Sequence, residues 1–173
     1  MQVQKRDGQL EDLNIDKLHK VVMYACEGIA GVSASEVEIN SKIVEYKEGA
    51  FAQLTIWDIG GQDRFKILRR NFYEGTYGAL VVFDLSRAQT FSEMKQWVSD
   101  MNQILERKVP LIILGNKSDL VPKIGESLNQ NDPIHFAEKL DSVYLETSAK
   151  IGVNVQEAFA QLTKMIVKNS FGE

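Results

Sequence analysis

Asn116-Lys117-Ser118-Asp119 stands directly after the apolar run of residues 111–114 and Gly115. An ionised carboxylate such as Asp119 accepts two hydrogen bonds side by side, and guanine presents a matching pair of donors, N1–H and its 2-amino group. Adenine offers neither and would leave the carboxylate desolvated and unpaired. Polar pairing of this kind can discriminate by roughly 10⁴ or more. Asn116 can tie neighbouring loops together, and the stem of Lys117 can cover one face of the base. The plainer alternative is a polar strand-to-helix turn, where Asn, Ser and Asp are common.

Thr147-Ser148-Ala149-Lys150 follows the next apolar run, residues 143–145. There a backbone N–H could reach the guanine O6, and Lys150 could cover the base. Ser-Ala-Lys carries little alone; in this order, after this run, it reinforces Asp119. Trp57-Asp58-Ile59-Gly60-Gly61-Gln62 closes the run of residues 51–57. An Asp at a strand end can hold a magnesium ion through water. Gly61 lets its backbone N–H approach a terminal phosphate, and Gln62 could orient an attacking water. A glycine turn ending a strand is the alternative there.

These clusters need a scaffold that brings strand ends together. The near-continuous apolar runs at residues 51–57, 79–83, 111–114 and 143–145 look like strands buried on both sheet faces. Between them, Thr90 can cap a helix with Phe91, Met94, Trp97, Met101 and Leu105 on its apolar side. Asn154 can cap another, with Val155, Ala158, Phe159, Leu162 and Ile166 on one stripe. Alternating strands and helices predict an α/β fold with a mainly parallel sheet, and ligands then bind beyond the strands' carboxyl ends. The first residues differ. Residues 3–13 read as a hairpin turning at Asp7-Gly8, and Asn14 as the cap of a helix through Leu18, Val21, Val22 and Ala25 to Gly28. Ser33-Ala34-Ser35-Glu36 has the form of a capping box. Residues 37–46 fit strand alternation and a helical face equally.

The chain has 173 residues, a net charge of −4 and a pI near 5.3, with no electrostatic reason to expect nucleic acid. Its single cysteine, Cys26, excludes an internal disulfide and fits a reducing compartment. No apolar run approaches the ~20 residues of a membrane span. Asn-Ser-Phe-Gly-Glu at the C-terminus offers no cysteine for a prenyl anchor. A cytoplasmic protein is expected. His19 and His135 lack neighbours at metal-ligand spacing.

From about residue 48 onward the chain resembles the small GTPase family of the Ras/Rab/Arf type, through Asp-x-Gly-Gly-Gln, Asn-Lys-Ser-Asp and Glu-Thr-Ser-Ala-Lys at fitting separations. The resemblance implies a P-loop NTPase-like sheet, GTP or GDP with Mg²⁺, and a switch cycle. It places Asn116, Lys117, Asp119, Ser148, Ala149 and Lys150 around guanine, Gly61 on phosphate, Asp58 on the metal and Gln62 in catalysis. The segment from Arg64 to Tyr73 would be the mobile switch helix, a surface for protein partners.

The family's Gly-x-x-x-x-Gly-Lys-Ser/Thr loop wraps phosphates in backbone N–H groups and supplies a lysine. No glycine in this chain is followed by lysine, and the first switch has no match either. Weak nucleotide binding, with hydrolysis reduced or lost, is the expectation. The first 46 residues are instead similar to the opening of an ATP-cone, the adenine-nucleotide sensor of ribonucleotide reductases. That resemblance implies Val3, Lys5, Arg6, Glu11, Asn14 and Lys17 near ATP or dATP. The expected organisation is therefore an ATP-cone-like segment over 1–46, joined to a small-GTPase-like domain over 47–173 that lacks its first strand and phosphate loop. The chain would join fragments of two unrelated domains. Alternatively, residues 1–5 and a helix over 15–28 would imitate the lost strand–loop–helix unit. A structural protein with neither nucleotide activity is the third reading.

Overall fold

The computed structural model describes residues 2–4, 10–12, 21–25, 38–60, 73, 75–105, 107–124 and 128–172. Two short strands, β1 (Gln2–Gln4) and β2 (Leu10–Asp12), pair antiparallel with Val3 opposite Glu11. This is the hairpin expected at the start of the chain; its turn at Asp7-Gly8 lies outside the described residues, as does the capping box at 33–36.

The main sheet has six strands. They are β3 (Val21–Ala25), β4 (Glu38–Lys47), β5 (Ala50–Gly60), β6 (Gly78–Asp84), β7 (Leu111–Asn116) and β8 (Val143–Glu146), in the spatial order β4-β5-β3-β6-β7-β8. All neighbours run parallel except β4, which pairs antiparallel with β5 at one edge. Helices α1 (Ala88–Ile104), α2 (Val121–Ile124), α3 (Asn131–Lys139) and α4 (Val155–Phe171) complete the described elements. The expected mainly parallel α/β sheet is what the chain forms.

β3 corrects the expectation of a helix over residues 14–28. Val21 to Ala25 forms a strand hydrogen-bonded to β5 on one side and β6 on the other, with Val22 opposite Trp57 and Ala79. A short apolar run fits either period, so tertiary context decides it. Here the slot between β5 and β6 offers two parallel ladders, whereas an isolated helix offers only its own bonds. The strand in that slot is not residues 1–5, since β1 belongs to the separate two-stranded sheet. β4 likewise makes residues 38–46 of the ambiguous stretch a strand, and it runs across the expected boundary at residue 46.

Period-two alternation divides the core. Ala79, Val81 and Phe83 of β6, with Leu111 and Ile113 of β7, face Phe91, Met94, Trp97 and Met101 of α1 and Ala137 of α3. Leu80 and Val82, with Ile112 and Leu114, face Ala158, Phe159, Leu162 and Ile166 of α4. These two strands are buried on both faces, as their apolar runs predict. β5 is not. Ala52, Leu54 and Ile56 are buried while Phe51 is 40% exposed, and on the edge strand Ile43 is 69% exposed. Among the described residues α4 is the helix that packs on this end of the sheet, against the face of Val44, Leu54 and Ile56, so the run over 51–57 is not doubly buried as its pattern suggests. The β4–β5 hairpin closes at Gly49, whose φ of +71° admits glycine readily and whose N–H donates to Glu45 Oε1 at 3.0 Å.

Thr90 does not cap α1. The helix starts two residues earlier, and the buried Thr90 hydroxyl instead accepts the Asp84 N–H at 2.9 Å and donates to Arg87 O at 2.7 Å. Asn154 does occupy the residue before α4, but in left-handed conformation (φ 56°), and its Nδ2 donates to Glu146 O at 2.8 Å.

Candidate nucleotide site

In the sheet, chain order leaves β3 toward β5 on one side and toward β6, β7 and β8 on the other. A crevice at such a switch point, beyond the strands' carboxyl ends, is where open α/β sheets bind ligands. β3 ends level with Gly60 of β5 and Val82 of β6. On the neighbouring strand and the one beyond it, Asp84 and Asn116 are register partners at the ends of β6 and β7.

The turns after β7 and β8 are tied into one unit. Thr147 N–H donates to Gly115 O at 2.8 Å, and Ser118 N–H donates to Thr147 O at 3.0 Å. Asn116 Oδ1 accepts the Ala149 N–H at 3.1 Å, so this side chain bridges both turns. The fully buried Ser148 donates its hydroxyl to Asp119 Oδ1 at 2.6 Å. The Asp119 carboxylate is therefore oriented by a neighbour in the turn after β8, with its second oxygen left for a further donor. Ala149 and Lys150 lie exposed in the turn beyond.

Lys117 has a partner that sequence reading missed. Its backbone takes φ 68°, and its Nζ donates to Asp84 Oδ2 at 2.7 Å. Asp84 Oδ1 accepts both the Ser86 N–H at 2.8 Å and the Ser86 hydroxyl at 2.6 Å. Burial pushes the Asp84 carboxyl up, but the hydrogen bonds from Lys117 and Ser86 outweigh it and hold the group below the usual carboxylate range. The available signal was an Asp closing a strand that is buried at every position, where a charge needs a partner.

Asp58 sits on β5 opposite Met23 of β3, half-buried. Gly61 and Gln62 lie outside the described residues, as does the segment from Arg64 onward except Tyr73, which is buried. Of the ATP-cone-like set, Val3 and Glu11 are register partners in the β1–β2 ladder, while Lys5, Arg6, Asn14 and Lys17 lie outside the described residues. Residues 26–37, which follow β3, lie outside them too.

A model of the Ras family matches residues 30–168. The chain belongs to the Ras family. Similar proteins include the Ras-related protein Rab-4A of Mus musculus, 36% identical over 131 residues, 76% of this chain. The Ras-related protein RabC of Dictyostelium discoideum is 37% identical over 138 residues, covering 78% of this chain and 69% of its own. The GTP-binding protein ypt1 of Schizosaccharomyces pombe is 30% identical over 156 residues, 90% of this chain and 76% of its own length. That last span leaves too few residues outside it to exclude β3, although the Ras-family match itself begins after that strand. The chain spans 59% of the length of Rab-4A. Among the described residues, no helix is long and apolar enough to cross a membrane.

Proposed function

We propose that this Ras-family chain binds guanine nucleotides, with Asn116, Asp119, Ser148 and Ala149 selecting the base. The observation that carries this reading is the Ser148 hydroxyl donated to Asp119 at 2.6 Å. It orients the recognising carboxylate before a ligand arrives, so less ordering is left to oppose binding. Lys117 and Lys150 would flank the base.

The phosphates would extend toward the carboxyl end of β3. Asp58 would hold Mg²⁺ through water, with the phosphates supplying further oxygen ligands. Among the described residues no group of three or more His, Cys, Asp or Glu could hold a metal. Mg²⁺ is usually bound by one or two carboxylates plus nucleotide phosphates rather than by an all-protein cage. Gly61 and Gln62 would serve the terminal phosphate and the attacking water. Because no glycine precedes a lysine anywhere in the chain, the phosphates lack the usual ammonium clamp. Binding is then weak and hydrolysis slow or absent. The segment from Arg64 to Tyr73 is the surface proposed for protein partners, and residues from β3 onward are read as one domain.

Titration with GDP and ATP in the presence of Mg²⁺ tests this. A guanine preference that Asp119→Ala abolishes supports it. Preference for ATP would favour the adenine sensor reading, which keeps the β1–β2 hairpin as support but loses the helix it required. Binding of neither nucleotide would leave a Ras-family surface that serves interaction only.

A further inference from the structure

We propose that Asp84 is a positioning residue for base recognition, holding the Lys117 ammonium so that the lysine stem lies ready along the base site. This rests on the guanine-binding reading above. The stem is anchored at both ends. At its root, Ser118 N–H donates to Thr147 O at 3.0 Å and Leu120 N–H donates to Lys117 O at 2.9 Å, fixing the turn on either side of the left-handed Lys117. At its tip, Asp84 Oδ2 accepts the ammonium at 2.7 Å. Side-chain exposures of 8% for Asp84 and 28% for Lys117 shield the pair from most of the solvent.

Asp84 is itself immobilised. Its N–H donates to Thr90 Oγ1 at 2.9 Å, and both Ser86 donors occupy Oδ1, which turns Oδ2 toward Lys117. Arg87 Nε stands farther off, 3.7 Å from the same oxygen. The pair is not needed to join β6 to β7. Those strands are already hydrogen-bonded with Asp84 opposite Asn116, and Leu85 N–H donates to Asn116 O at 2.9 Å. What the pair adds is a defined course for a long, rotamer-rich side chain between the ends of two strands. A lysine already ordered loses less freedom when a base settles on its stem.

The test measures GDP affinity by isothermal titration calorimetry for the intact chain and for Asp84→Asn, Lys117→Met and the double variant. Asparagine keeps an acceptor for Ser86 but no charge for the ammonium. Asp84→Asn is expected to weaken GDP binding roughly three- to tenfold, and to weaken it no further in the Lys117→Met background. An equal loss in both backgrounds, or no loss in either, overturns the positioning role while leaving the guanine reading intact. If the unmodified chain binds no GDP, or binds it undiminished by Asp119→Ala, both fall together. Should Asp84→Asn fail to give a cooperative melt, Ser86→Ala replaces it. That variant frees Oδ1, so a smaller loss is expected that also vanishes in the Lys117→Met background; a loss that persists there overturns the proposal.

Discussion

Gly115 lies in β7, directly before Asn116 at the end of the strand, and its size rather than its flexibility is what the fold uses. A Cβ built there would stand 2.6 Å from Tyr144 Oη, 2.9 Å from Leu85 Cδ2 and 3.1 Å from Leu85 Cγ. Neither neighbour can retreat freely. Tyr144 stacks on the buried Phe83 with ring centroids 6.2 Å apart and planes at 17°, and Leu85 is bonded through its N–H to Asn116 O. Overpacking a formed core costs about 1–3 kcal/mol. Alanine recovers about 0.5–1 kcal/mol of backbone entropy relative to glycine. Gly115→Ala should therefore destabilise the chain by about 1 kcal/mol, the difference between the middles of those two ranges. For a chain of this size that is a fall in Tm of roughly 2–4 °C. Urea unfolding of Gly115→Ala, Tyr144→Phe and the double variant measures it. Tyr144→Phe removes the nearest atom, and with it the long 3.4 Å bond to Glu146 Oε1, so the double variant should recover part of the loss. A Gly115→Ala midpoint equal to that of the unmodified chain, or strictly additive effects in the double variant, would refute the steric account.

Ser148→Ala deletes the donor that orients Asp119. Because water reaches the half-buried carboxylate, the loss is about 1 kcal/mol, so GDP affinity should fall about fivefold with ADP affinity unchanged; equal losses for both would sink the role. The Asp84 pKa lies below its unfolded value, so its stabilising contribution is complete above about pH 4 and disappears as pH falls through the folded value. Asp84→Asn should flatten the drop in urea midpoint below about pH 4, and an unchanged acid slope contradicts it. At Asn154, φ 56° penalises a Cβ. Asn154→Ala should thus be less stable than Asn154→Gly by about 1 kcal/mol, since both lose the bond to Glu146 but only alanine bears that strain; equal midpoints in urea would refute it.

The runs over 79–83 and 111–114 were legible because a strand covered on both faces has no polar positions to interrupt it. The run over 51–57 looked the same and misled, since Phe51 faces outward beside an edge strand that no pattern in those residues reveals. Thr90 was legible as a hydroxyl near a helix start. Its actual partner, the Asp84 N–H, depends on how α1 folds back onto the end of β6.

Residue types in the turns after β7 and β8 already held the donors and acceptors that the proposed base recognition would use, because these belong to side chains wherever they sit. The order and period of the apolar runs likewise dictated an α/β sheet. Tertiary structure alone decided that residues 21–25 are the central strand, because a run that suits two periods takes whichever neighbours offer unmet backbone bonds. It also decided where the Lys117 ammonium goes. Asp84 is 33 residues away along the chain and adjacent only because β6 and β7 run parallel in register.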